Sequence, residues 1–287
     1  MASPKPLSNQ VINWTGFVHK PGDAPWFHPK PNLPWPARQL LEEYSGIHPQ
    51  NIHDQVLNIR NRAWDAFPFP CIGSFEFLDF QLSQRNLLYP RLLQRLQAGG
   101  KFLDIGCCLG HDIRKLVFDG VPGENLTGVE LRKEFIELGY ELFRDRDRLE
   151  AKMYQGDVQL GNSEQPWKEL GGQFDVVNLG MILHSFAREG QIVCIEKAIG
   201  SLKNQVGTSI IGTACGAAEG EECFWHGNIP SHNTETFRAL VKDLEERTGT
   251  KWEVDAKVDS SISLWNPKHT WLDPRVRGLA FEMTRLE

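Results

Sequence analysis

No stretch of this chain approaches the roughly 20 consecutive apolar residues that cross a bilayer. Its start, MASPKPLSNQ, also lacks the apolar core of a secretory leader. Neither a membrane-spanning nor a secreted protein is expected, and the cytoplasm is the expected compartment. The six cysteines include no C-x-x-C and no Cys/His pair with zinc-finger spacing, so no metal is expected and the cysteines read as small buried hydrophobes. There is no run of Lys and Arg, and the formal net charge is −6, which argues against a nucleic-acid partner. The G-x-G-x-x-G fingerprint that receives a dinucleotide's pyrophosphate is absent as well.

What is present divides in two. Up to about residue 80 the chain is rich in proline and aromatics (INWTGFVHKPGDAPWFHPKPNLPWPARQ, then RAWDAFPFPCIGSFEFLDF), with helical intervals expected at 38–44 and 49–64. From Gly100 strands and helices alternate. The apolar pattern predicts strands at 101–105, 126–130, 151–155, 173–179 and 206–213, with helices from about 110, at 132–146, 187–203 and 233–248. Short connections between such elements imply right-handed crossovers and a parallel sheet covered on both faces. Two more strands, at 251–258 and 278–286, follow with no helix between them. They should pair antiparallel, placing one reversed strand near the C-terminus.

The informative turn is FLDIGCCLGHDIRKL, residues 102–116. Where a pyrophosphate needs a second glycine stands Cys108, so the loop suits no phosphate, and an NAD-dependent oxidoreductase is disfavoured. Asp104, Gly106 and Gly110 remain, and the next strand closes on the acidic Glu130. A carboxylate there can accept both hydroxyls of a ribose. Asp157 follows the third strand and Asn178 lies in the fourth. In a doubly wound sheet these positions fall at the carboxyl ends of the strands, where ligands bind. Carboxylates there suit a cationic ligand.

On these residues the segment from Gly100 to Leu286 resembles class I S-adenosylmethionine-dependent methyltransferases, whose D/E-x-G-x-G-x-G loop is matched here by D-I-G-C-C-L-G. FPFPCIGSFEFLDF, LDIGCCLGHDIRKL and ELGYELFRDRD are further similar to fungal secondary-metabolite methyltransferases of the meroterpenoid type. The resemblance implies a Rossmann-like α/β fold: a doubly wound, seven-stranded, mostly parallel sheet with one antiparallel strand near the C-terminus, preceded by an aromatic, proline-rich helical extension. It implies S-adenosylmethionine as cofactor. Asp104 with the Gly106–Gly110 backbone would hold the methionine moiety, and Glu130, with Leu131 beside it, the ribose. Asp157 and Val158 would hold the adenine, and Asn178 and Leu179 the region of the sulfonium, Asn178 more through its backbone than its side chain. The implied reaction is O-methylation of a small apolar acceptor, a terpenoid carboxylate first, a phenol or hydroxyl second. A protein substrate and a non-catalytic binding role stay open as alternatives.

His184, about one helical turn beyond the fourth strand, is the candidate catalytic residue, as a base or as a donor that positions the acceptor. A carboxylate with a pKa of about 4 needs no base, whereas a phenol of about 10 would use one. Domain boundaries are expected at 1–90 for the extension, with residues 14–90 covering the site, and at 91–287 for the cofactor-binding domain. Within the extension Phe75, Phe77 and Phe80 alternate imperfectly, and Arg85 is a candidate partner for an acceptor carboxylate. The expected partner is a small molecule, with neither nucleic acid nor membrane. A homodimer stays open.

Overall fold

The computed structural model describes residues 24, 26–84, 88–221, 223–225, 229–259 and 275–287. Arg85 lies outside them.

The carboxy-terminal part runs β1 (Phe102–Ile105), α5 (His111–Phe118), β2 (Leu126–Glu130), α6 (Lys133–Phe143), β3 (Lys152–Gln155), α7 (Trp167–Leu170), β4 (Val176–Gly180), α8 (Arg188–Ser201) and β5 (Ser209–Ala217). A short antiparallel pair follows, β6 (Cys223–Trp225) with β7 (Ile229–Ser231), then α9 (Thr234–Thr248), β8 (Trp252–Asp259) and β9 (Val276–Arg285). Before it come α1 (Trp35–Gln39), continued by a π-helical turn over Leu40–Tyr44, then α2 (Ile52–Ala66), α3 (Pro70–Gly73) and α4 (Leu88–Gln97).

Seven strands form one sheet in the order β3-β2-β1-β4-β5-β9-β8. β9 runs antiparallel to both β5 and β8 and is the one reversed strand. The strand sequences explain the parallel core. FLDI and LTGVE are buried at every position, as strands covered on both faces must be. Helix ends follow local chemistry: Asn233 and Thr236 form a reciprocal capping box at the start of α9, and Gly249, left-handed at φ 68°, ends it.

By compactness the chain gathers into two groups. One comprises Lys101–Gly106 and Gly156–Glu287, the other Asn13–Gly100 and Cys107–Gln155, each taken over its described residues. The second group joins the aromatic extension to α5 and α6. Arg60, almost fully buried, lies 3.9 Å from the Phe27 ring centroid and 4.3 Å from that of Phe75, and its guanidinium donates to the carbonyls of His28 and Gly73. The aromatics of this segment are largely core. Phe75, Phe77 and Phe80 are each at most 2% exposed.

Among the described residues no helix is long and apolar enough to cross a membrane.

Candidate functional site

In the first group, Asp104 and Asn178 stand side by side in register on β1 and β4. The Asn178 amide donates to Asp104 Oδ1 at 2.8 Å, and both residues are buried. The Asn178 side chain thereby fixes the orientation of the Asp104 carboxylate. The chain then leaves β1 through Gly106 at φ 80°. A Cβ there would come within 2.8 Å of Ile182 Cδ1. Leu179 is buried in β4, and His184 is half-buried in a short 3-10 turn, Leu183–Ser185, beyond that strand.

Asp157 occupies a turn just past β3, half-buried, with Val158 buried beside it. Its Oδ1 accepts from the Gln159 backbone at 2.9 Å, and its carbonyl accepts from the Trp167 indole at 2.7 Å. Lys197, 5% exposed, secures the far side of the same turn by donating to the Leu160 carbonyl at 2.6 Å and to Asn162 Oδ1 at 2.5 Å. The carboxylate is thereby held at the strand end instead of trailing in a loose loop.

In the second group the glycine loop meets Glu130. Cys108 adopts a left-handed φ of 54°, and its backbone N–H donates to Glu130 Oε2 at 2.9 Å. The Arg132 N–H donates to Oε1, also at 2.9 Å. Burial pushes the Glu130 carboxyl above its usual range, and the N–H groups of Arg132 and Cys108 oppose that rise. An ionised carboxylate has about four acceptor directions. Each oxygen therefore keeps one for a further donor, and a vicinal diol offers two. Leu131 is half-buried next to it.

Several residues of this constellation escaped sequence reading. One is Arg114, whose guanidinium donates to the carbonyls of Leu109 at 2.8 Å and of Gly110 at 3.2 Å, beneath the loop end that Gly110, expected from the sequence, turns at φ 65°. Gly139 on α6 lets the loop approach: a Cβ there would lie 2.2 Å from the Leu109 carbonyl oxygen. Cys71, on α3, neighbours Cys108, and its thiol first, with burial second, pushes the Cys108 thiol up. The expectation that the cysteines are simply buried fits Cys107, Cys194 and Cys215, whereas Cys71 and Cys108 are free and only half-buried. An arginine amid apolar helical neighbours, as in HDIRKL, was the available signal for Arg114. Nothing local signalled Cys71.

The chain and its fold have relatives. Residues 26–78 match the family model described as the meroterpenoid methyltransferase N-terminal domain. The chain is 35% identical over 269 residues to the O-methyltransferase atr3 of Stereocaulon alpinum, covering 92% of this chain and 76% of that protein. It is 37% identical over 226 residues to the O-methyltransferase phiE of a fungal species (strain ATCC 74256), covering 77% of this chain and 75% of that one. Among solved structures, phosphoethanolamine N-methyltransferase 2 of Haemonchus contortus, in complex with phosphomonomethylethanolamine and S-adenosylhomocysteine, shares the fold with a TM-score of 0.51. The identity is 12%, over 79% of this chain and 60% of that one.

The chain is a member of the class I methyltransferase fold class. It belongs to the family of fungal methyltransferases that atr3 and phiE represent.

Proposed function

We propose that this protein binds S-adenosylmethionine and methylates an oxygen of a small, apolar secondary metabolite, a terpenoid or meroterpenoid carboxylate giving its methyl ester. The observation that carries the cofactor reading is Glu130. It is a buried carboxylate whose oxygens are aimed by two backbone N–H groups and keep acceptor directions for a diol. The rest of the constellation fits. The oriented Asp104 carboxylate suits an ammonium, and Cys108, side chain included, occupies the place where a dinucleotide would need a bare backbone. The names of the relatives support an oxygen acceptor.

When bound, the cofactor supplies a methyl group already activated by its sulfonium. The protein's share is to orient the acceptor oxygen in line and exclude water. In this reading residues 1–90 form the extension that encloses the acceptor, and residues 91–287 the cofactor-binding domain. A carboxylate acceptor is ionised at neutral pH, so His184 would position it by hydrogen bonding. With a phenol, the alternative acceptor, His184 would take the proton. The working compartment in this reading is the cytoplasm, and the partner a small molecule.

Calorimetric titration with S-adenosylhomocysteine, beside NADH, tests the cofactor. Micromolar binding to the wild type and its loss in Glu130→Ala support the reading, whereas heat from NADH alone would overturn it. The pH dependence of turnover then separates the acceptors. A carboxylate acceptor predicts that His184→Gln keeps a flat kcat profile between pH 6 and 9. Under the phenol alternative, the variant loses the acid limb of the wild-type curve.

A further inference from the structure

The FPFP segment, residues 67–70, is conspicuous in the sequence and has been given no contact with the cofactor. Pro68 and Pro70 fix φ on alternate residues, and Phe69 sits between them at φ −64°, ψ 144°, an extended conformation with little freedom. Phe67 closes α2 in an extended conformation, is 8% exposed and stacks obliquely on Phe69, with ring centroids 4.3 Å apart. Phe69 in turn meets Phe135 of α6 at 6.1 Å. The segment is a stiff aromatic bracket against the start of α6.

What the bracket holds is Arg132. The guanidinium carbon lies 4.3 Å from the Phe67 ring centroid, a face contact that favours a cation. The backbone N–H of the same residue donates to Glu130 Oε1 at 2.9 Å, so the side chain springs from the edge of the carboxylate assigned to the ribose. Its Nε is buried and finds no hydrogen-bond partner among the described residues. A buried donor without an acceptor is costly, and in this place it marks where an acceptor belongs. Nothing assigned to the site so far uses that donor.

We propose that Arg132 is a cofactor-binding residue whose Nε–H donates to the adenosine half of the cofactor, beside Glu130, and that Phe67 positions it. The inference rests on the reading of S-adenosylmethionine as cofactor. It gives the aromatic extension a second role, as part of the cofactor-binding surface. A ribose hydroxyl that donates to Glu130 keeps its oxygen as an acceptor, which is what Arg132 would engage. Carboxylate and guanidinium together would then satisfy both halves of the hydroxyl.

The test is calorimetric titration of the full chain with S-adenosylhomocysteine, in the wild type and in Arg132→Gln, Arg132→Lys, Phe67→Leu and the Phe67→Leu/Arg132→Gln pair. Loss of one hydrogen bond from a charged donor should weaken binding by about ten- to a hundredfold in Arg132→Gln. Arg132→Lys should not rescue it, because an ammonium cannot reproduce the directed Nε–H. In kinetics the KM for the cofactor should rise while kcat and the KM for the acceptor hold, a split that a general folding defect would not give. Phe67→Leu should weaken binding only while Arg132 is present, so the pair should lose no more than Arg132→Gln alone. Wild-type affinity in both Arg132 variants would overturn the role of Arg132, and additive losses in the pair would overturn that of Phe67. A wild type that binds no S-adenosylhomocysteine would overturn the cofactor reading itself, and this inference with it.

Discussion

Arg114 and Asp145 form a two-pronged ion pair with both side chains fully excluded from solvent: Nε to Oδ2 at 2.7 Å and Nη2 to Oδ1 at 2.9 Å. Tyr44, from the extension, donates its hydroxyl to the same Oδ2 at 2.7 Å. The third nitrogen of Arg114 holds the glycine loop, so one buried cation ties loop, α6 and extension together.

Breaking that pair on one side leaves the other charge stranded. Arg114→Met should cost about 3–5 kcal/mol, the usual penalty for an orphaned buried charge. Arg114→Met with Asp145→Leu should recover part of the loss. Urea unfolding of the two variants checks both statements, and equal stabilities would show that no charge had been stranded.

Gly139 sets the distance between α6 and the loop. The nearest atom to a Cβ there is the Leu109 carbonyl oxygen, which belongs to backbone and cannot swing aside. Gly139→Ala should therefore displace Leu109, costing about 1–3 kcal/mol and weakening S-adenosylhomocysteine more than it lowers the unfolding midpoint. Gly46→Ala makes the control, since it has a positive φ of 62° but open space around it. It should leave cofactor affinity unchanged.

Asn178→Asp would set a second carboxylate against Asp104, in place of an amide donor now 2.8 Å away. Two such carboxylates cannot both ionise cheaply, so one should bind a proton well into the neutral range. S-adenosylhomocysteine titrations at pH 5.5 and pH 8 should show an affinity that depends on pH far more steeply than in the wild type. Parallel curves would show that Asp104 does not feel the change.

Glu76 offers a pH signature of the extension. Burial first, and the nearby Asp79 charge, push its carboxyl from 4.5 up to about 7, against a 2.9 Å hydrogen bond from Ser74. A carboxyl whose folded value is raised holds its proton longer in the folded state, so its contribution is full below pH 4.5 and is lost as pH rises through about 7. Glu76→Gln should match the wild type near pH 4 and be the more stable above pH 7. His232, lowered to about 4 by burial, works in the opposite sense, losing stability as pH falls from 6.5 toward that value. The comparison must therefore be the variant-minus-wild-type difference at each pH, and a difference that does not vary with pH would remove Glu76 as its source.

The order of elements in the methyltransferase part was legible because most of its strands, FLDI and LTGVE among them, are short apolar runs ended by a turn signal. Residues 126–130 were read to the residue, and 233–248 to within one, since Asn233 and Gly249 announce both ends of α9. Other elements were missed for physical reasons. α4 contains Pro90 and was passed over, yet the proline stands in the first turn, where no intrahelical N–H is needed. β6 and β7 are three residues each, too short to show a period. The fifth strand was read at 206–213 but spans Ser209–Ala217, because its Ala and Gly residues carry no strand preference and are placed by pairing with β9.

The sequence by itself determined the alternation of strands and helices, the reversed last strand, and the acidic residue closing β2, because hydrophobic period and turn chemistry are local properties. Only the tertiary structure decided that the Asn178 amide orients Asp104 from 74 residues away, that Arg114 finds Asp145 across 31, and that Cys71 and Phe67 stand against Cys108 and Arg132. Such partners meet through packing, and no spacing along the chain records which face of one element will be pressed against another.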